Sequence, residues 1–121
     1  MTHYFRPSPS TPRIYLYRDP VDFRKSYRGL AAIVDKELEH NPFDGALYVF
    51  INRRRDKIKL LFWEDNGFVR YYKSLAEEKF GWPRAEDQVM PLSGKQINGL
   101  LSGLDIGLMK GQKLLHYKLL F

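Results

Sequence analysis

The segment "ALYVFINRRRDKIKLLFWEDNGFVRYYKS", residues 46–74, decides the fold of this 121-residue chain. It contains three runs rich in β-branched and aromatic residues, at 46–52, 57–64 and 68–74. The connections "RRRD" and "DNG" are so short that neighbouring runs must pair as antiparallel hairpins, and Gly67 is expected to supply the positive φ of the second turn. The segment therefore predicts a three-stranded β-meander.

The flanking sequence adds two helices and two short strands. Apolar residues at helical spacing, from Phe23 to Leu38, predict an amphipathic helix that is capped by Asp19 or Asp22 and ends at Asn41-Pro42. A second helix is predicted over 93–105, where Ser93 and Gln96 have the spacing of a capping box. The runs at 14–17 and 88–92 read as strands, the latter at an edge because Pro91 cannot donate to a central ladder.

Together these elements predict an α+β fold: an antiparallel β-meander sheet of four to five strands with two helices packed on one face. The meander also has apolar residues on both of its faces, so we expect the second face to be covered by the tails, a second copy of the chain or a larger partner. The domain is predicted to span residues 14–105. It follows a flexible, proline-rich arm at 1–13 and precedes a basic apolar tail at 106–121.

The composition excludes several classes of protein. There are no cysteines, which excludes disulfide frameworks, thiolate zinc sites and cysteine nucleophiles. No uncharged apolar run is long enough to span a bilayer and no secretory signal is recognisable, so we expect a cytoplasmic protein without membrane contact. The net charge of +6 lies mostly in the two tails. A strong electrostatic binding site in the domain must therefore come from local clustering.

One cluster meets that requirement. The basic residues Arg53, Arg54, Arg55, Lys57 and Lys59 are accompanied by only one acid, Asp56. Because side chains alternate across a strand, Lys57 and Lys59 share a face with Trp63, while Ile58, Leu60 and Phe62 point into the core. Such a face suits a nucleic acid, with cations on phosphates and the indole stacked on a base. The charges alone leave open an ordinary solvated sheet face whose arginines lie in water.

No residues form a recognisable catalytic or metal-binding pattern. His3, His40 and His116 are far apart in sequence, and Asp19 and Asp22 have the spacing of helix caps. The glycines form neither a phosphate-binding loop nor a dinucleotide fingerprint. We therefore predict a protein that is not an enzyme and needs no metal or cofactor.

Short pieces along residues 14–105 carry a family resemblance. In order they are Asp22-Phe23-Arg24-Lys25, Gly29-Leu30, Asn41-Pro42-Phe43 with Gly45, Val49-Phe50, Asn52-Arg53-Arg54-Arg55-Asp56, Lys59-Leu60-Leu61 with Trp63, Gly67-Phe68, Tyr72-Lys73, Leu75, Phe80 with Trp82-Pro83, and "LLSGLD" at 100–105. In these pieces the chain resembles the small TnpB-type accessory protein, the second open reading frame, of bacterial insertion sequences of the "sixty-six" family. The resemblance implies a role in DNA transposition beside a separate transposase.

We therefore predict a non-enzymatic accessory protein of transposition. In this hypothesis Arg53, Arg54 and Arg55 contact phosphates, and Lys57, Lys59 and Trp63 extend the contact along the sheet, largely independently of DNA sequence. The alternative is a protein-interaction module that docks on the transposase or on another accessory subunit without binding DNA. A homo-oligomer is compatible with either hypothesis.

Overall fold

A computed structural model describes residues 5–84 and 86–106. Its centre is a five-stranded sheet with the strand order β4-β3-β2-β1-β5. The strands are β1 (Ile14–Tyr17), β2 (Leu47–Ile51), β3 (Lys57–Glu64), β4 (Gly67–Ser74) and β5 (Val89–Leu92). Two helices accompany it, α1 (Tyr27–Ala32), which continues as a π-helical turn over Ile33–Glu37, and α2 (Gly94–Leu101). The predicted α+β class is confirmed.

The predicted meander forms the larger part of this sheet. β2 and β3 pair antiparallel, with Val49 opposite Leu60, and β3 pairs antiparallel with β4, with Leu60 opposite Tyr71. The tight turn between β3 and β4 differs from the prediction in one detail. Its left-handed residue is Asp65, with a φ of 49°, whereas Gly67 already belongs to β4. A short polar side chain is tolerated in that conformation, so no glycine is required there.

The predicted sheet was antiparallel throughout, whereas the observed sheet contains one parallel pair of strands. β1 runs parallel to β2, with Tyr15 opposite Tyr48, and antiparallel to β5. The reason is the connection: α1 crosses over between β1 and β2, and such a helical crossover returns the chain in the same direction. β5 is an edge strand, as the proline in it predicted.

The first helix is shorter than its apolar pattern predicted. Its N-cap is Ser26, not Asp19 or Asp22, and Asp22 instead accepts hydrogen bonds from the backbone and side chain of Arg24. Phe23 precedes the helix, but its side chain still packs against the core cluster that contains Leu30 and Val34. Helical spacing therefore identified the buried face correctly but overestimated the length of the helix. The capping box of Ser93 and Gln96 on α2 is confirmed.

Each helix covers its own face of the sheet, so the prediction of two helices on one face is wrong. On one face α2 packs with Leu16, Val49 and Leu60 through the side chains of Ile97, Leu100 and Leu101. On the other face α1 and its π-helical turn pack with Tyr48, Phe50 and Leu61 through Leu30, Ile33 and Val34. The expectation that the second face would be covered is met by a helix of the same chain.

The segments on either side of the domain contact α2. The Asn98 side chain donates to the carbonyl oxygen of Pro7 at 2.8 Å, and Arg6 donates to the carbonyl oxygen of Asn98 at 3.1 Å. Ile106, the first residue of the predicted tail, is buried in the core.

Residues 1–4 of the predicted arm and 107–121 of the predicted tail lie outside the described residues. Within the described ranges, no helix is long and apolar enough to cross a membrane.

Candidate nucleic-acid interface

The connection between β2 and β3 together with the first residue of β3, residues 52–57 and here called the basic loop, is held in one shape by its own polar groups. The Asn52 side chain accepts from the amide of Lys57 at 3.0 Å and donates to Asp56 Oδ1 at 2.7 Å. Arg55 has a φ of 63°, and its backbone amide closes the turn by donating a hydrogen bond to the carbonyl oxygen of Asn52. The carbonyl of Arg55 in turn accepts from the amide of Phe80 at 2.7 Å. The loop is thus anchored at several backbone points.

This loop exposes three guanidinium groups. The side chains of Arg53, Arg54 and Arg55 are all exposed, and none of them forms an ion pair or a hydrogen bond with another described residue. Two other exposed arginines differ, since Arg13 pairs with Asp44 and Arg24 with Asp22. Unneutralised guanidinium groups on an anchored loop form a site that attracts anions.

The acid of the loop is directed away from these arginines. Asp56 accepts from Asn52 and forms an ion pair with Lys57, whose Nζ lies 3.3 Å from Asp56 Oδ2. The hydrogen bond from Asn52, followed by that from Lys57, lowers the pKa of Asp56. Asp56 therefore stays ionised at neutral pH and compensates Lys57, and it leaves the three arginines uncompensated.

A cleft of about 560 Å³ lies between the basic loop and the segment that precedes α1. Its lining combines backbone turns with charged and aromatic side chains: Pro20, Val21, Asp22, Phe23, Arg24, Asn52, Arg53, Arg54, Lys57 and Tyr72. The volume falls within the range of about 300–1,000 Å³ that is typical of ligand pockets. The predicted site residues Arg53, Arg54 and Lys57 thus share one concave surface.

Lys59 does not share that surface, contrary to the prediction from strand alternation. Its side chain is only 7% exposed, and its ammonium donates to the carbonyl oxygen of Phe23 at 2.9 Å. The ammonium also lies 4.8 Å from the centre of the Phe23 ring and 5.5 Å from that of Tyr72. Burial, and then the charge of Arg70, lowers the pKa of Lys59. Alternation gave the correct face, but the segment before α1 covers that face at this position.

Trp63 is also separated from the basic loop. It lies six residues along β3 from Lys57, a distance of about 20 Å in an extended strand. There its ring packs edge-on against Phe43 and Phe68, with 5.1 Å between ring centres in both pairs. The structure thus keeps Trp63 on the predicted face but places it in an aromatic cluster at the far end of the sheet.

Among the cleft residues that were not predicted as site residues, Arg24 and Tyr72 have exposed side chains suited to binding. Arg24 lies in the segment before α1 and is nine-tenths exposed, although it is paired with Asp22. The hydrogen bonds from the side chain and backbone of Arg24, and then its charge, lower the pKa of Asp22 to about 2. Tyr72 is 51% exposed on β4, although an aromatic residue in a strand is usually assigned to the core. The signal for both was present only in the family pieces, which contain Arg24 and Tyr72.

The described residues contain no group of three or more His, Cys, Asp or Glu side chains arranged to hold a metal ion. Asp19, one of the two acids with the spacing of helix caps, forms an ion pair with Arg18, with 3.0 Å between Arg18 Nε and Asp19 Oδ1. Asp22 is likewise engaged by Arg24 at 2.6 Å. The cleft is lined by cationic, amide and aromatic side chains together with the Asp22 carboxylate, and its cations and rings are groups that bind anions and flat ligands.

Comparisons with known proteins identify the family. The model of the family described as "IS66 Orf2 like protein" matches residues 12–111. Two proteins of Sinorhizobium fredii (strain NBRC 101917 / NGR234), both described as uncharacterized, are similar to this chain. Protein y4jC is 33% identical over 93 residues, which cover 77% of this chain and 80% of y4jC. Protein y4hO is 33% identical over 99 residues, which cover 82% of this chain and 86% of y4hO. No solved structure matches significantly. The chain belongs to the IS66 Orf2-like family, which makes it an insertion-sequence accessory protein and confirms the resemblance found in the sequence.

Proposed function

We propose that this protein is a non-enzymatic accessory protein of IS66 transposition that contacts nucleic acid through its basic loop. Family membership supports the link to an insertion sequence. The contact with nucleic acid rests on one observation, namely that Arg53, Arg54 and Arg55 are exposed on an anchored loop without a carboxylate partner among the described residues.

The electrostatics of the loop favour a polyanion over a single small anion. Three guanidinium groups on consecutive residues spread their charge over a surface, and a nucleic-acid backbone offers a row of phosphates to such a surface. Guanidinium groups also bind phosphate oxygens through two parallel hydrogen bonds, which a lysine ammonium does not do. The basic loop therefore suits contact with several neighbouring phosphates.

Binding of this kind is largely independent of sequence. Both helices of the described part of the chain use their apolar sides to cover the sheet, α1 on one face and α2 on the other, so neither of them projects as a recognition helix for a major groove. Contacts to phosphates position a protein on nucleic acid but carry no direct sequence information. Selection of the insertion ends is then left to another component of the transposition machinery.

The test is a salt titration of binding to DNA from the ends of the insertion sequence. Arg53, Arg54 and Arg55 are replaced together by alanine, and affinity is measured by fluorescence anisotropy at several salt concentrations. The slope of log affinity against log salt is negative, and loss of three phosphate contacts makes it less steep by about 2 to 3. The matched control replaces Lys36, Arg84 and Lys95, which removes the same net charge from exposed positions outside the cleft. Equal affinity and equal salt dependence of the wild type and the triple arginine variant would refute the proposal.

The non-enzymatic part of the proposal has its own test. Insertion-end DNA incubated with the protein and Mg²⁺ or Mn²⁺ is expected to stay intact on a denaturing gel. Metal-dependent nicking that disappears in Asp19→Asn or Asp22→Asn would contradict this expectation, because both acids precede α1 and Asp22 lines the cleft.

A second candidate function, docking on the transposase or on another accessory subunit, is favoured by an apolar groove of about 550 Å³. It runs beside edge strand β4 and includes Leu60, Phe62, Val69 and Tyr71. Copurification with transposase after nuclease treatment, lost on deletion of the tail, would support it. Since Ile106 is buried in the core, that deletion has to begin at residue 107.

A further inference from the structure

The cleft beside the basic loop contains an exposed aromatic ring. Tyr72 is 51% exposed and lines the cleft together with Arg53 and Arg54. The hydroxyl of a tyrosine can donate to a phosphate, but its apolar ring contributes nothing to such a contact. An exposed ring beside guanidinium groups instead matches the surfaces on which unpaired bases stack.

The ring of Tyr72 is held in a defined orientation before any ligand binds. Phe23 packs edge-on against it, with 6.2 Å between ring centres, and the ammonium of Lys59 lies 5.5 Å from its centre. Lys59 is itself fixed by its hydrogen bond to the carbonyl oxygen of Phe23. A ring fixed by its neighbours loses little conformational entropy when a base stacks on it. The buried lysine thus acts as a support for the exposed tyrosine.

From this geometry we infer that the cleft binds a single-stranded segment of nucleic acid, with phosphates on Arg53 and Arg54 and one base stacked on Tyr72. The inference rests on the proposed function and names its substrate class. In a duplex the bases are paired and stacked on each other, and none can lie flat on a tyrosine inside a cleft without being extruded from the helix. Only an unpaired strand brings phosphates and a free base to the same concave site.

The first measurement compares ligands of equal length. Wild-type protein is titrated with oligo-dT, oligo-rU and a mixed-sequence duplex, each about 20 nucleotides or base pairs long, under the same salt conditions. We expect tighter binding of both single strands than of the duplex, since stacking on an aromatic ring tolerates any base and either sugar. A preference for the duplex would overturn the inference.

The second measurement removes the ring. Tyr72→Ala is expected to weaken binding of oligo-dT by about 5- to 150-fold, the range of stacking on one aromatic residue, and to leave duplex binding unchanged. Tyr72→Phe keeps the ring and is expected to bind like wild type. The matched control is Phe43→Ala, which removes an aromatic residue of similar exposure, 55%, at the far end of the same sheet face.

The outcomes separate this inference from the proposed function. If the triple arginine variant loses binding while Tyr72→Ala binds oligo-dT like wild type, the loop contacts phosphates but the stacking inference is wrong. If the triple variant binds like wild type, the proposed function itself fails. Should Tyr72→Ala not fold, photocrosslinking of wild-type protein to an oligonucleotide containing 5-bromodeoxyuridine decides the matter. The crosslink is expected on Tyr72, and crosslinks confined to other peptides would overturn the inference.

Discussion

The ammonium of Lys59 lies 2.9 Å from the carbonyl oxygen of Phe23, beneath the segment that leads into α1. This contact joins the centre of the meander to the segment before α1, which forms the opposite wall of the cleft. A residue that the sequence pattern assigned to nucleic acid is thereby a structural element of the site. Its role is to hold Phe23, and through Phe23 the ring of Tyr72.

The first prediction follows from that contact. Lys59→Ala removes a buried apolar stem and the donor for the carbonyl of Phe23, so we expect a loss of about 2–3 kcal/mol in the free energy of unfolding. Lys57→Ala serves as the control, because the Lys57 side chain is one-third exposed and its ion pair with Asp56 is only partly buried. For that variant we expect a change of less than about 1 kcal/mol. Urea unfolding measures the free energy of unfolding of both variants. Lys59→Met keeps most of the stem, so its free energy of unfolding is expected to lie between those of Lys59→Ala and the wild type. Equal stability of Lys59→Ala and wild type would show that the contact is not stabilising.

Lys59 shows which features of the fold can be predicted from the sequence and which cannot. Alternation and turn chemistry identified the meander and the face of each residue in β3, because the period of two is a property of the strand itself. They gave no information on what lies above that face. Helical spacing likewise identified the buried side of α1 but not the side of the sheet on which it packs. Those are tertiary relationships, set by the crossover between β1 and β2.

The candidate site divides in the same way. Arg53, Arg54 and Arg55 were correctly expected at an exposed loop, since a short connection between two hairpin strands has no room to bury three long cations. Tyr72 and Arg24 were missed, because they are distant in sequence from the loop and only the sheet pairing and the segment before α1 bring them to it. Local patterns therefore found the charges, while the concave shape that makes them a site is a product of the fold.

Trp63 provides the second prediction. Since it packs against Phe43 and Phe68 and not beside the basic loop, Trp63→Ala is expected to cost about 1–3 kcal/mol of stability, less than for a fully buried tryptophan. The affinity of the folded variant for oligo-dT is expected to stay within about twofold of wild type, whereas loss of stacking would cost far more. Chemical unfolding and anisotropy on the same preparation give both values. A large loss of affinity with unchanged stability would place Trp63 in the interface after all.

The third prediction concerns the approach of the N-terminal segment to α2. A methyl group on Gly94 would collide with the carbonyl group of Pro9, so Gly94→Ala is expected to displace residues 6–11 from the helix and to break the bond between Asn98 and Pro7. Hydrogen–deuterium exchange is expected to rise in that segment. The control is Gly67→Ala, the same chemical change at a position with no atom within 4 Å of the added methyl group. Unchanged exchange in Gly94→Ala would mean that the segment does not pack tightly in solution.

The last prediction concerns alkaline pH and two buried tyrosines. Burial, followed by the hydrogen bond to Glu37, raises the pKa of Tyr17 to about 12, and burial, followed by the charge of Asp44, raises the pKa of Tyr48 to about 12. In the unfolded chain tyrosine titrates near 10. Between these values the folded state holds more protons, so its stability, which is full below pH 10, falls as the pH rises towards 12.

We expect the double variant Tyr17→Phe and Tyr48→Phe to lose this decline, because phenylalanine does not ionise. Each tyrosine contributes at most about 2–3 kcal/mol to the fall in the free energy of unfolding between pH 10 and 12. Lys59 acts in the opposite direction, since its lowered pKa makes stability rise with pH up to its unfolded value, but it is present in both proteins and cancels in the comparison. Urea unfolding at pH 8, 10 and 11.5 provides the measurement. Parallel declines in the wild type and the double variant would assign the alkaline sensitivity to other groups, and would show that these two hydroxyls reach solvent more easily than their burial indicates.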